Sequence, residues 1–214
     1  MSDAHDSLDA LKEIKALMEK SSRFISMSGL AGVFSGLFAL IGAAAAYWRV
    51  NLAPWALREE DTPFGTGKIV YIDSSVATFL AMDAILVLAA SLAIAFYFTK
   101  KKARKTQQPL WGSGSRHMLI NLSVPLITGG VFCLLLFYHG LIGLIAPSTL
   151  VFYGLAMMNA GRFSLSEISY LGLSEVIIGL VSLAFLGYGL VFWAIGFGLL
   201  HIVYGILMYM RHDR

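Results

Sequence analysis

The chain reads as an all-α polytopic membrane protein, a six-helix transmembrane bundle of three hairpins preceded by an amphipathic cytoplasmic helix. Three observations predict this. Of 214 residues, 57% are apolar and only 14% charged, whereas soluble domains run at about 45–50% and about 25%. The charges are segregated: residues 24–48, 118–161 and 176–210 carry none, and 76–98 carry only Asp83. Uncharged apolar runs of about 18 residues or more are long enough to cross a bilayer. Finally, the lysines and arginines fall on alternate connections, as the positive-inside rule requires. A soluble enzyme, a DNA-binding domain and a disordered tail are excluded.

Residues 1–23 form the first element. Leu8, Leu11, Ile14, Leu17 and Met18 recur at three- and four-residue spacing, and Lys12, Glu13, Lys15, Glu19 and Lys20 occupy the other positions. That pattern predicts an interfacial helix with its apolar face toward the lipid. Ser7 suits its N-cap, and Asp9 suits its first turn, where the helix dipole favours negative charge. The helix is expected to orient the first span; docking or gating is the sharper alternative. The first apolar run is too long for a signal h-region, so uncleaved spans are expected.

The transmembrane domain is expected over 24–214, with spans at about 26–48, 76–98, 118–138, 143–161, 169–187 and 190–210. Each crosses roughly 30 Å at 1.5 Å per residue. The 118–161 block is too long for one pass and breaks at His139-Gly140, ahead of Pro147, which suits a first helical turn. The last block breaks at Gly187-Tyr188-Gly189. Asp73, Ser74 and Ser75 are placed to cap the second span. Tyr47, Trp48, Tyr97, Phe98 and Tyr209 mark the interfaces, and Thr62-Pro63-Phe64-Gly65 signals a turn in the 49–75 loop.

Six spans put thirteen of the sixteen basic residues on one side, leaving Arg49, Arg58 and Lys68 on the other. Both termini are therefore expected in the cytoplasm, with the protein in a bacterial inner membrane. The expected partners are the bilayer itself and anionic lipids at the basic face, around Lys100–Lys105. No nucleic acid is expected. Gly112-Ser113-Gly114-Ser115 reads as a flexible linker.

Small residues recur on the helices at packing intervals. Ser28, Gly32 and Gly36 are four apart, Gly42 precedes Ala46 by four, and the pairs Gly198/Gly205 and Gly172/Gly179 are seven apart. With little hydrophobic drive between helices in lipid, close approach over small residues supplies the packing. The expectation is packing within the chain; the alternative is a homo-oligomer interface, placed on the first span.

The last two hairpins look like repeats, each an oily helix, a Gly-rich turn and a helix with a Tyr-Gly pair (Tyr153-Gly154, Tyr204-Gly205) near its inner end. The first pair of spans fits this pattern only loosely, but three hairpins entering and leaving on one side imply parallel repeats about an axis along the membrane normal. The stretch from Glu175 to Tyr209, with its Gly-Tyr-Gly turn and Trp-Ala-Ile-Gly-Phe-Gly-Leu-Leu-His-Ile-Val-Tyr-Gly-Ile segment, resembles the hairpin unit of the HdeD-like acid-resistance membrane proteins. The resemblance implies a six-span bacterial inner-membrane protein tied to acid stress. It implies no catalytic residue.

Ionisable groups at membrane depth are costly and therefore mark candidate sites. Asp83, Glu175 and His201 all fall within about 6 Å of the midplane at 1.5 Å per residue. The sharp expectation is one proton- or cation-responsive site shared by the three. The bland one leaves them packed or hydrogen-bonded singly. Asn121, Pro125 and Thr128 form a second polar stripe, with a kink expected at Pro125.

No catalytic, cofactor-binding or metal-ligating set is expected. His117 and His139 fall at opposite ends of one span, so bis-histidine haem ligation is not expected. Cys133 has no partner cysteine, and paired metal ligands, a Walker loop and a Rossmann fingerprint are missing. The expected function is that of a small non-enzymatic membrane protein of structural or regulatory, stress-response type. The alternative is a proton- or cation-coupled transporter or channel using Asp83, Glu175 and His201.

Overall fold

A computed structural model describes residues 28–52, 57–61, 68–107 and 111–213. The amphipathic helix expected over 1–23 and the Thr62-Pro63-Phe64-Gly65 turn lie outside the described residues. Six helices are long and apolar enough to cross a membrane. They are α1 (Gly29–Leu52), α2 (Ser74–Lys105), α3 (Ser113–Tyr138), α4 (Ile145–Gly161, led in by a 3-10 turn over Ile142–Leu144), α5 (Ser166–Ala184) and α6 (Gly189–His212). The chain is a membrane-embedded six-helix bundle, as composition requires.

Boundaries follow local chemistry. Asp73 caps α2 as expected, its Oδ1 accepting from the Ser75 amide at 2.9 Å and the Ser75 hydroxyl at 2.6 Å. The helix then runs 32 residues to Lys105, about 48 Å at 1.5 Å per residue. That exceeds the hydrocarbon thickness, so the basic run expected after the span is instead its protruding last turns, where cations suit the negative end of the helix dipole. The Gly112–Ser115 segment is likewise not all linker. The Ser115 hydroxyl accepts from the Gly112 amide at 2.8 Å and donates to the Gly112 carbonyl at 3.0 Å, so α3 begins at Ser113.

One element was not legible in the sequence. The loop between α1 and α2 contains an antiparallel pair, β1 (Leu57–Asp61) and β2 (Lys68–Ile72), in register from Leu57 opposite Ile72 to Asp61 opposite Lys68. Charged residues along β1 masked the alternation that signals a strand.

The first two hairpins pack on themselves, α1 against α2 and α3 against α4. In the third, α5 lies chiefly against α4 and α6 chiefly against α1, with a smaller contact between the two themselves. Glycines explain the pairing. A Cβ on Gly36 would stand 2.6 Å from the Gly198 carbonyl oxygen, and one on Gly205 would stand 2.6 Å from the Val33 amide and 2.8 Å from the Gly29 carbonyl. The Ser28/Gly32/Gly36 stripe therefore packs inside the molecule against the Gly198/Gly205 stripe. It is not a free subunit interface. Gly154 and Gly172 join α4 to α5 in the same way, each 2.5–2.6 Å from the other's carbonyl oxygen by that measure.

At one end of the bundle the C-terminal residues tie three helices together. Asp213 accepts from the Ser28 hydroxyl and the Gly29 amide, both at 2.9 Å, and pairs with Lys102 at 2.6 Å. A carboxylate from the far end of the chain thus caps α1, where the dipole favours negative charge. Beside it, Glu167 at the start of α5 takes Arg211 at 3.2 Å and His212 at 3.1 Å. Both ends of the described chain lie on this face, consistent with an even number of spans.

Candidate functional site

Glu175 comes from the middle of α5, and its residue is wholly buried. His201 comes from α6, immediately after a π-helical stretch over Ala194–Leu200. Such wide turns are rare and recur at functional sites. The His201 Nδ1 lies 3.3 Å from Glu175 Oε1 and 3.2 Å from the Gly196 carbonyl oxygen. Its Nε2 lies 2.8 Å from the Tyr153 hydroxyl of α4. Three helices therefore meet at one imidazole.

Gly196 makes the room. A Cβ there would run into Glu175 Oε2 and the Leu150 side chain, so only glycine lets α6 approach the carboxylate so closely. The rings of Phe197 and Tyr153 flank the imidazole, with centroids 5.9 and 5.4 Å away. Among the described residues neither Glu175 oxygen has an aligned hydrogen-bond donor, and neither does the buried Ser182 hydroxyl two turns further along α5. The 3.3 Å approach of His201 to Glu175 is close enough for charge pairing but is not aligned as a hydrogen bond.

The three residues singled out from the sequence do not all converge. Glu175 and His201 meet. Asp83 sits on α2, half-buried, with its carboxylate against Gly42 of α1, where a Cβ would lie 3.2 Å from Oδ2. Among the described residues Asp83 makes no ion pair or hydrogen bond with either of the others. The shared three-residue site becomes an acid–histidine pair with Tyr153 as its third member. Tyr153 was visible in the sequence only as half of the Tyr-Gly repeat. In its counterpart, Tyr204 reaches back to Ser174 of α5 at 3.3 Å. In both copies the glycine enters a helix seam and the tyrosine crosses to a neighbour.

The second polar stripe is locally satisfied. Asn121, Ser123 and Thr128 donate to the carbonyls of His117, Leu119 and Val124 at 2.8 Å, and α3 remains one helix through Pro125. Each polar group there uses the backbone of its own helix. Among the described residues no group of three or more metal-ligating side chains occurs.

Comparisons with family models, curated proteins and solved structures gave no match. The fold and the site therefore define a class on their own: a multi-span α-helical membrane protein with a buried glutamate–histidine–tyrosine centre.

Proposed function

We propose that this is a non-enzymatic, proton-responsive membrane protein of regulatory type, with Glu175, His201 and Tyr153 as its proton-binding centre. The observation that carries the reading is the wholly buried Glu175 carboxylate, 3.3 Å from an imidazole and without an aligned donor among the described residues. An isolated charge at this depth is expensive, and removing its counter-charge leaves it more so. A neutral imidazole already carries one ring proton, so the pair is neutral when it holds one proton more, either on the carboxylate or on the second ring nitrogen. Gaining or losing a proton changes the net charge where three helices meet, so protonation is coupled to helix packing.

Among the described residues His201 of α6 faces Glu175 directly, and Tyr153 of α4 holds the far nitrogen of that imidazole. Asp83 of α2 belongs to a different seam. The basic end of the bundle is proposed as cytoplasmic on the positive-inside rule. A bacterial inner-membrane location and a part in the response to acid accord with the resemblance to HdeD-like proteins.

The test is infrared difference spectroscopy of the reconstituted protein across a pH titration. A protonated buried carboxyl has its own C=O stretch, and the reading requires a pH-dependent band of this kind that is lost in Glu175→Gln and altered in His201→Gln. A titration with no carboxyl band assignable to Glu175 would sink it.

A further inference from the structure

We infer that protons reach Glu175 along the seam between α5 and α6, entering at Glu167 and His212 at the end of the bundle that carries the C-terminus; this rests on the proton-binding reading above. The two helices touch through polar groups at three levels. At the rim Glu167 meets His212 at 3.1 Å and Arg211 at 3.2 Å. Deeper, Ser174 meets Tyr204 at 3.3 Å. Next to that, Glu175 meets His201. Residues 167 and 174 lie on one face of α5 with 175 about a quarter-turn round from them, and 201 and 212 lie on one face of α6 with 204 beside it; all three pairs fall on the contact between the two helices. The pairs run in antiparallel register, so they form a column and not three unrelated contacts.

Glu167 and Glu175 are eight residues apart, about 12 Å along the axis. Between the rim and the inner pairs the same two faces carry Leu171 and Met208, both buried. Apolar side chains at this level interrupt the polar column. The arrangement is a rim pair able to exchange protons with bulk water, an apolar gate, two relay hydroxyls and a terminal acid. The Ser174 hydroxyl also donates to the Tyr170 carbonyl at 3.0 Å, so in the resting arrangement Tyr204 is the donor of the pair. Each hydroxyl can accept one proton and release another, and passage from the rim to Glu175 leaves the relay with no net change. The rim pair is polar, partly exposed and held in place by Arg211, whose side chain is 68% exposed. The Asp213–Lys102 pair beside it anchors the same segment of α6.

This makes Glu167, His212 and Tyr204 residues that set the rate of proton access, distinct from those that bind the proton. Hydrogen–deuterium exchange of the Glu175 carboxyl, followed as the shift of its C=O band after mixing full-length protein with D2O, separates the two. The double variant Glu167→Gln/His212→Gln is expected to slow exchange by about a hundredfold, the low end of what a positioned proton-transfer group contributes. Tyr204→Phe, which removes only a hydroxyl, is expected to slow it too, and Leu171→Ala to speed it. The band itself persists in each, which also shows that the centre is folded. A persistent band with wild-type exchange in both the double variant and Tyr204→Phe overturns the path while leaving the centre standing. No Glu175 band in the wild type at any pH overturns the centre and the path together.

Discussion

The Tyr153 hydroxyl lies 2.8 Å from Nε2 of His201, so the imidazole that faces Glu175 with one nitrogen is held by α4 with the other. A neutral ring carries one proton on two nitrogens, and its two neighbours decide where that proton sits. With Nδ1 protonated, the ring donates toward the Gly196 carbonyl and accepts from Tyr153; with both protonated, it faces Glu175 as a cation. Tyr153→Phe is expected to cost about 1 kcal/mol, as a hydrogen bond between helices does in lipid, and to change the pH dependence of the Glu175 band. Reversible unfolding in mixed micelles, run beside the infrared titration, checks both.

Gly196 tests whether the space beside the carboxylate matters. Gly196→Ala places a methyl group where Glu175 Oε2 and Leu150 already sit. It is expected to shift the carboxyl band and to destabilise the bundle by about 1–3 kcal/mol, as overpacking does. An unchanged band in a stable variant would count against the geometry of the centre.

The helix seams predict a contrast between glycines. Gly205→Val forces a side chain into the backbone of α1 and is expected to cost at least the same 1–3 kcal/mol. Gly130→Ala, on the open side of α3 with nothing within 4 Å, is expected to be neutral or slightly stabilising because alanine favours helix. Thermal melts of the two variants in one detergent decide it.

At the opposite end, Asp73 is a pH-sensitive cap. The Ser75 hydroxyl and amide hold its carboxyl below the ordinary value of 3.8. The sign follows from linkage: capping by the charged form is complete above the ordinary carboxylate range and is lost as pH falls through the lowered value. Amide exchange in the first turn of α2 is therefore expected to accelerate only in strong acid for the wild type, and at every pH for Asp73→Ala.

Asp213→Ala removes the carboxylate shared by Ser28, Gly29 and Lys102. Loss of the cap alone is expected to cost about 1 kcal/mol, and the start of α1 and the end of α2 should loosen together. Cysteine cross-linking or amide exchange at both helix ends would show whether they respond as one.

The sequence alone determined that the chain has six segments long and apolar enough to cross a membrane, which end is basic, where α2 begins and that Glu175 and His201 lie near the middle of their helices. These follow from hydropathy and charge along one chain segment, and both are local quantities. Tertiary structure decided which helices are neighbours. It put Glu175, His201 and Tyr153 together, left Asp83 beside Gly42, turned the Ser28/Gly32/Gly36 stripe inward and brought Asp213 to the start of α1. In water, an apolar face announces what it must be buried against. In lipid, an apolar partner and the surrounding hydrocarbon solvate that face almost equally well, so the pattern along a helix marks its depth without naming its neighbour. Close backbone contact over glycines makes that choice, and it exists only once the helices are packed.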